Sequence, residues 1–274
     1  GAYPPPPGGY PPPGAFPPPP PGGYPPPPPM EGGWAPPPPG HNHYSVGDAF
    51  SWAWNKFSKN AVPSLVGALI INVLLTLLVV VFAVALQAVS PETFTAVDAG
   101  DTMIETTTTT INGAGVAVIF VGFLALLVFV GATLSAYIGG TLDIADGRPV
   151  TIGSFLRPRN VGSMIVATII AGILTAIGLA LCIIPGLIVT VFTLLYPIAI
   201  VDKNLSPIDG LRASFDIAKR NFGQVALAWL ISAIILAIGS SCLVLTVLSW
   251  PIAYLFLVYT YRKLNGETVA PATV

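Results

Sequence analysis

The sequence predicts an all-α polytopic membrane protein with six transmembrane helices behind a proline-rich N-terminal tail, and three observations lead to this fold class. Only 8% of the 274 residues are charged, whereas soluble domains average roughly 25%, and the mean hydropathy is +0.77. Four long stretches carry no charged residue at all. A short amphipathic segment recurs ahead of these stretches, which divides the apolar part of the chain into repeats.

Residues 1–44 form the predicted tail, because they hold 21 of the 30 prolines. Proline runs fix φ and lack amide donors, so they adopt extended polyproline II, and a segment of this composition is disordered when alone. The tail is either a flexible tether or a ligand for aromatic-lined grooves on a partner. The stretch HNH at 41–43 has no further ligand side chain nearby, so no metal site is predicted there. One aromatic residue heads each proline run: Tyr3, Tyr10, Phe16, Tyr24 and Trp34.

The membrane domain, residues 45–274, is predicted from its uncharged stretches, because a span needs about 20 apolar residues. The first two stretches suffice for one span each. The other two, of 41 and 40 residues, predict two spans each, with turns at Pro185–Gly186 and at GSSC (239–242). The predicted spans are about 63–87, 114–138, 161–184, 186–201, 223–240 and 243–261.

The eleven Lys and Arg residues predict the orientation in the membrane. If both termini are cytoplasmic, all eleven lie on the cytoplasmic side, and the loop 90–112 carries acidic residues but no basic one. Because basic loops stay in the cytoplasm, the chain is predicted to be a multi-pass plasma-membrane protein with cytoplasmic termini. The basic residues are Lys56, Lys59, Arg148, Arg157, Arg159, Lys203, Arg212, Lys219, Arg220, Arg262 and Lys263.

A repeated amphipathic segment precedes the apolar stretches. SVGDAFSWAWNKFSKN (45–60) aligns without a gap with SPIDGLRASFDIAKRN (206–221), and a shorter third copy, 151–162, contains a proline. Ser45 and Ser206 are predicted N-caps of helices that lie in the membrane interface. Each helix has an apolar face, and its charged residues lie on the opposite face. The interfacial helix plus hairpin therefore occurs three times, as parallel repeats. The predicted apolar face comprises Phe50, Trp54, Phe57, Leu211, Phe215 and Phe222.

The repeated unit, S-x-x-D followed by an apolar face, K/R-N and a span, resembles the membrane domain found beside bacterial glycerophosphodiester phosphodiesterases. The catalytic part of those enzymes has no counterpart here, because no carboxylate and histidine cluster is present to hold a metal. A Tyr-Pro-Gly tail ahead of six spans is similar to the proline- and glycine-rich transmembrane proteins of mycobacteria and other actinobacteria. One of those is associated with the cytochrome bcc–aa3 respiratory supercomplex, so the resemblance implies that complex and membrane lipids as partners.

Two functions are consistent with these features. The first is a non-catalytic accessory subunit that docks laterally on a larger membrane complex while its tail contacts the cytoplasmic side. The alternative is a transporter or lipid-handling protein that uses the space between three hairpins. The sequence shows no nucleophile with a base, no phosphate-binding loop and no redox ligand set, so no catalytic residue, cofactor or metal is predicted. A net charge of -1 gives no reason to expect nucleic acid as a partner.

The two cysteines, Cys182 and Cys242, lie near the predicted turns of the second and third hairpins. Both are therefore predicted near the outer surface, where a disulfide can persist. A disulfide between them would cross-link the two hairpins, and the alternative is that each thiol packs as a small apolar side chain.

Phe215→Asp is expected to lower the amount of folded protein more than Arg212→Asp. The first substitution places a charge on the apolar stripe, whereas the second changes only the solvated face. The yield of monodisperse protein extracted from membranes measures the difference. Equal losses would mean that the stripe faces neither membrane nor protein.

Overall fold

The computed structural model describes residues 44–90, 92–98, 103–109 and 111–272, and the tail aromatics lie outside this part of the chain. The described chain is helical apart from one β-hairpin. The helices are α1 (Val46–Lys59), α2 (Ala61–Val89), α3 (Gly113–Ala145), α4 (Val161–Leu181), α5 (Ile183–Phe192), α6 (Tyr196–Lys203), α7 (Pro207–Arg220), α8 (Phe222–Ser240) and α9 (Leu243–Leu264), with one 3₁₀ turn, η1 (Ile152–Phe155), before α4.

Among the described residues, five helical segments are long and apolar enough to cross a membrane, which indicates a multi-pass membrane protein. They are α2, α3, α4, the combined α5–α6 segment and α8. Helix α9 is not among them. The sixth span therefore stays a prediction.

Two connections differ from the sequence predictions. The turn after α4 lies at Cys182, whose backbone is extended, and Pro185 and Gly186 belong to the first turns of α5. Proline is tolerated at the start of a helix, where its missing N–H has no partner to lose. The loop between α2 and α3 contains an antiparallel hairpin of β1 (Glu92–Asp98) and β2 (Met103–Thr109), whereas the sequence predicted no strands.

The predicted fourth span is divided into α5 and α6, and a serine of α7 satisfies the backbone at the break. Ser214 Oγ donates a hydrogen bond to the carbonyl of Phe192 (2.7 Å) and accepts one from the N–H of Leu195 (3.1 Å). Pro197 follows in the first turn of α6 and cannot donate to the preceding turn. The break is therefore stabilised by a specific side chain of the next interfacial helix.

The core lies where the C-terminal ends of α3, α6 and α9 meet, and we call this end of the molecule the packed end. The last eleven residues of α3, 135–145, are all buried, as are 198–201 in α6 and 255–261 in α9. Toward the opposite, open end, the leucine, valine and isoleucine side chains of the long helices are mostly exposed. Tight packing is thus concentrated at one end, and the apolar surface at the other end is left for lipid or protein.

The three amphipathic segments surround this core. Helix α1 packs against α9, η1 packs against α2 and α3, and α7 packs against α6 and α4. The predicted N-caps are confirmed, because Ser45 Oγ accepts from the N–H of Asp48 and Ser206 Oγ from that of Asp209. The third copy is only the 3₁₀ turn, since Pro158 follows it closely.

Helices α1 and α7 bury the same four aligned positions. These are Ala49 and Gly210, Ala53 and Ser214, Lys56 and Ile217, and Phe57 and Ala218. Five of these eight residues are small, which allows close helix contact, and α1 additionally buries Trp52. The buried face is rotated from the predicted apolar stripe, most of which is exposed.

Phe155 of η1 fixes the 3₁₀ turn to the core. Its side chain is fully buried and lies against two glycines, one on α2 and one on α3. A Cβ added at Gly67 would lie 2.7 Å from the Phe155 Cβ, and one at Gly140 would lie 2.6 Å from a carbon of the Phe155 ring. Both positions consequently require glycine for η1 to sit at this depth.

Gly140→Ala is expected to lower the free energy of unfolding by about 1–3 kcal/mol, because the added methyl overlaps the Phe155 ring. The matched control is Gly172→Ala in α4, where a Cβ meets nothing within 4 Å. There alanine favours the helix by up to about 1 kcal/mol. Unfolding in mild detergent measures both, and equal stability of the two variants would contradict the packing of Phe155.

Candidate functional site

The charged cluster at the packed end is built around Arg262, in the last turn of α9. Its guanidinium lies 2.6 Å from an oxygen of Asp202, at the end of α6, and 3.0 Å from an oxygen of Asp146, the C-cap of α3. Glu267, just beyond α9, lies 3.3 Å away. One side chain therefore joins the ends of three helices that are far apart in the sequence.

Further ion pairs extend this cluster, which we call the Arg262 cluster. Arg148 lies 2.9 Å from Asp143 and 2.5 Å from Asp146, Arg159 lies 2.5 Å from Asp143, and Lys203 lies 2.9 Å from Glu267. The side chains of Arg262 and Asp202 are only 16% and 10% exposed. Charge-assisted pairs of this kind are strong when water is largely excluded, and removing one partner leaves the other buried and unpaired.

The segment after α9 returns across the packed end and binds α1 to α3. The N–H of Ala270 donates to the carbonyl of Ala145 (2.8 Å), and the carbonyl of Ala270 accepts from Trp52 Nε1 (2.8 Å). Lys59 Nζ donates to the carbonyl of Ala272 (3.0 Å). These bonds connect residues more than 120 positions apart and hold α1 on the core.

Burial shifts the pKa values of two titratable side chains, one just before α1 and one within it. Burial raises the pKa of the Tyr44 hydroxyl, and its hydrogen bond with Thr260 (3.0 Å) partly opposes that shift. Burial also lowers the pKa of Lys56, and the positive charge of Lys59 adds to the effect. These shifts reflect close packing of α1 against α9.

The Arg262 cluster is suited to holding helices together. Each of its four carboxylates lies within 4.0 Å of an arginine or lysine nitrogen. Among the residues that the structure describes, no group of three or more His, Cys, Asp and Glu side chains could hold a metal ion. The arrangement therefore supports a structural role for the cluster.

Two apolar grooves flank the pair formed by α2 and α3. One is a cavity of about 400 Å³ lined by residues such as Leu78, Phe82 and Phe123, and the other is about 640 Å³ and includes Leu124 and Phe129. All of the lining residues are apolar or glycine. Such grooves accept hydrocarbon, either from lipid or from the side chains of another helix.

The structure separates the residues of the predicted apolar face. Phe57 is buried and Leu211 is half-buried, whereas Phe50, Trp54, Phe215 and Phe222 are about half exposed. Phe215 and Phe222 both contact Phe192, because the centres of their rings lie 4.7 and 5.8 Å from the centre of its ring.

The two cysteines are free, exposed thiols in this structure. Cys182 and Cys242 lie in the turns before α5 and α9. The disulfide between them is therefore not formed here, and for the oxidised protein it stays a prediction.

Sequence reasoning missed the Arg262 cluster and the role of Trp52. A signal for the cluster was present, because Asp143, Asp146 and Asp202 each stand at the C-terminal end of an apolar stretch, as Arg262 does. Acidic and basic residues at the same end of several spans can pair with one another.

The comparisons with known proteins give a family and relatives. Residues 132–273 match the family described as Domain of unknown function (DUF7847). The chain is 41% identical over 232 residues to Uncharacterized protein Mb2590 of Mycobacterium bovis, covering 84% of this chain and 71% of that protein. It is 40% identical, with the same coverage, to Uncharacterized protein Rv2560 of Mycobacterium tuberculosis. No solved structure matches the chain.

Arg262→Met is expected to lower the free energy of unfolding by about 3 kcal/mol, because it leaves the largely buried carboxylate of Asp202 at the end of α6 without its arginine partner. The matched control is Arg212→Met, whose partner Asp209 lies 3.8 Å away and is exposed. That change is expected to cost less than about 1 kcal/mol. Thermal unfolding in mild detergent measures both, and similar losses would show that the cluster does not hold the helix ends.

Proposed function

The chain belongs to the DUF7847 family, and we propose that it is a non-catalytic accessory subunit that docks through its membrane helices on a larger plasma-membrane complex. The observation that carries this proposal is the exposure of α2 and α3. Only 6% of the most apolar 18-residue segment of each helix is buried within the chain, compared with 39% for the α5–α6 segment. This pair therefore presents apolar surface on nearly all sides.

The chemistry of this surface supports docking over transport. In the described helices, ionisable residues lie in α1 and α7 or near the C-terminal ends of α3, α6 and α9, whereas substrate and ion pathways use ionisable residues within the membrane. Asn72 of α2 donates its side-chain amide to the carbonyl of Ala68 (2.8 Å), so this donor is satisfied within its own helix. The grooves beside α2 and α3 make this surface uneven, so that side chains of another helix can pack into it.

The proposed topology has six spans in three parallel repeats, with both termini in the cytoplasm. Its support is the distribution of all eleven basic residues in the sequence and the equal burial of aligned positions in α1 and α7. In this arrangement the packed end faces the cytoplasm, and the β1–β2 hairpin lies on the opposite side.

The cytochrome bcc–aa3 respiratory supercomplex is the partner that we propose first. This choice rests on the resemblance of the tail and spans to actinobacterial proteins, and the mycobacterial relatives are consistent with it. In this arrangement α2 and α3 contact the membrane subunits, and the proline-rich tail contacts the cytoplasmic surface.

A lipid-handling function is the alternative, and the two grooves favour it. Their volumes of about 400 and 640 Å³ and their apolar linings suit acyl chains as well as helix side chains. In that case the chain would work without stoichiometric protein partners.

Purification of the tagged full chain from an actinobacterial membrane in mild detergent, followed by mass spectrometry of co-purifying subunits, tests the proposal. Stoichiometric respiratory subunits are expected. Val80→Trp, on the exposed surface of α2, is expected to reduce their recovery at least tenfold, whereas Ile177→Trp, similarly exposed on α4, is expected to retain them. A lone monomer or homo-oligomer would contradict docking and favour the alternative.

A further inference from the structure

We propose that a groove between η1, α2 and α3 binds one anionic phospholipid, with its phosphate on Arg157 and an acyl chain along the groove. The groove has a volume of about 230 Å³ and lies at the packed end of the α2–α3 pair. It adjoins the larger groove of about 640 Å³, with which it shares Ala132 as a lining residue. The site concerns the isolated chain in lipid and does not depend on the docking proposal.

The lining of the groove suits hydrocarbon. Ile70 and Leu74 of α2 form one wall, Ala132 of α3 contributes to the other, and Leu156 and Pro158 after η1 form the mouth. The hydroxyl of Thr133, a polar lining group, donates to the carbonyl of Phe129 (2.7 Å) and is therefore satisfied. An acyl chain would meet no unpaired hydroxyl along this surface.

The groove lies at the depth of the acyl chains. At 1.5 Å per residue, Ile70 and Leu74 lie roughly 14 and 20 Å along α2 from its first residue, Ala61. Half of the hydrocarbon core of a bilayer is about 15 Å thick. With Ala61 at the boundary of the hydrocarbon, Ile70 and Leu74 lie near the bilayer midplane, and the roughly 6 Å of α2 between them contact part of an acyl chain.

The mouth of the groove is held rigidly on both sides of Arg157. Two residues before it, Phe155 is fully buried against Gly67 and Gly140. Two residues after it, the N–H of Arg159 donates to Ser135 Oγ (2.7 Å), and the Ser135 hydroxyl bonds to the carbonyl of Arg159. The backbone that carries Arg157 is therefore positioned before any ligand binds.

Arg157 stands in the chain between two residues that line the groove, Leu156 and Pro158, and within the described part of the chain its charge is not neutralised by an ion pair. The neighbouring Arg159 pairs with Asp143, and Arg148 pairs with Asp143 and Asp146. Arg157 is exposed and has no acidic partner among the residues that the structure describes. A cation beside an apolar groove in the membrane interface is complementary to a phospholipid that carries a net negative charge, and the guanidinium can bind its phosphate through two nitrogens.

The cleft beside α7 provides a matched contrast. It is lined by Leu211, Phe215 and Arg212, but Asp216 lies in the same cleft and Asp209 lies 3.8 Å from Arg212. The negative charges of these carboxylates oppose binding of an anion there. Of these two clefts, the one beside η1 is the one whose charge favours an anionic lipid.

Native mass spectrometry of the full chain, titrated with phosphatidylglycerol or phosphatidylcholine in mild detergent, tests the site. One phosphatidylglycerol is expected to bind more tightly than phosphatidylcholine. Arg157→Gln should weaken that binding about fivefold, the effect of one basic residue at a membrane surface, whereas Arg212→Gln should change it less than twofold. Thr133→Leu, at a residue that lines this groove but not the larger one, fills the groove and should weaken both lipids.

Four results would overturn the proposal. Equal affinity for the two lipids would remove the role of the phosphate charge, and equal weakening by Arg157→Gln and Arg212→Gln would indicate a diffuse basic surface. Retained lipid binding in Thr133→Leu would exclude the groove. Excess inorganic phosphate should not displace the lipid, because it cannot occupy the apolar part, and displacement would likewise contradict the site. Thermal unfolding of each variant verifies that the chain is folded.

Discussion

Arg262 makes the contacts on which the arrangement of the helices depends. Its guanidinium meets carboxylates at the ends of α3 and α6, and it lies at the end of α9. The residues immediately before these charges, 135–145, 198–201 and 255–261, are buried. Burying an unpaired charge at a helix end is costly. The three helix ends can pack together because the arginine on α9 neutralises the carboxylates on α3 and α6. The amphipathic segments α1, η1 and α7 then cover the sides of this core.

Concentration of the packing at one end leaves the rest of the helices free for other contacts. The open end presents apolar side chains to whatever surrounds it, and this is the surface through which we propose docking. The packed end has a different chemistry, because basic residues there lie beside apolar grooves. Of these residues, Arg159 is used within the fold and Arg157 faces outward. The same short segment thus fixes η1 and offers a site for an anionic lipid.

Local features of this fold could be predicted from the sequence, and long-range ones could not. Ser45 and Ser206 were correctly predicted as N-caps, because a cap acts on the N–H groups two or three residues away. Pro185 was wrongly predicted to form a turn, because proline is also accepted at the start of a helix. Apolar periodicity selects large side chains, so it identified exposed residues such as Trp54, whereas the buried face of α1 includes the small residues Ala49 and Ala53. The Arg262 cluster joins positions 146, 202 and 262, and no local pattern indicates which charges meet.

The double-mutant cycle of Arg262→Met and Asp202→Asn tests most directly whether this contact holds the helix ends together. Unfolding of the wild type, both single variants and the double variant would be measured in the same detergent. If the two groups stabilise the fold through their mutual contact, the double variant should lose less than the sum of the single losses, with a coupling of about 1–3 kcal/mol. Losses that add within about 0.5 kcal/mol would contradict this account, because independent groups add in that way.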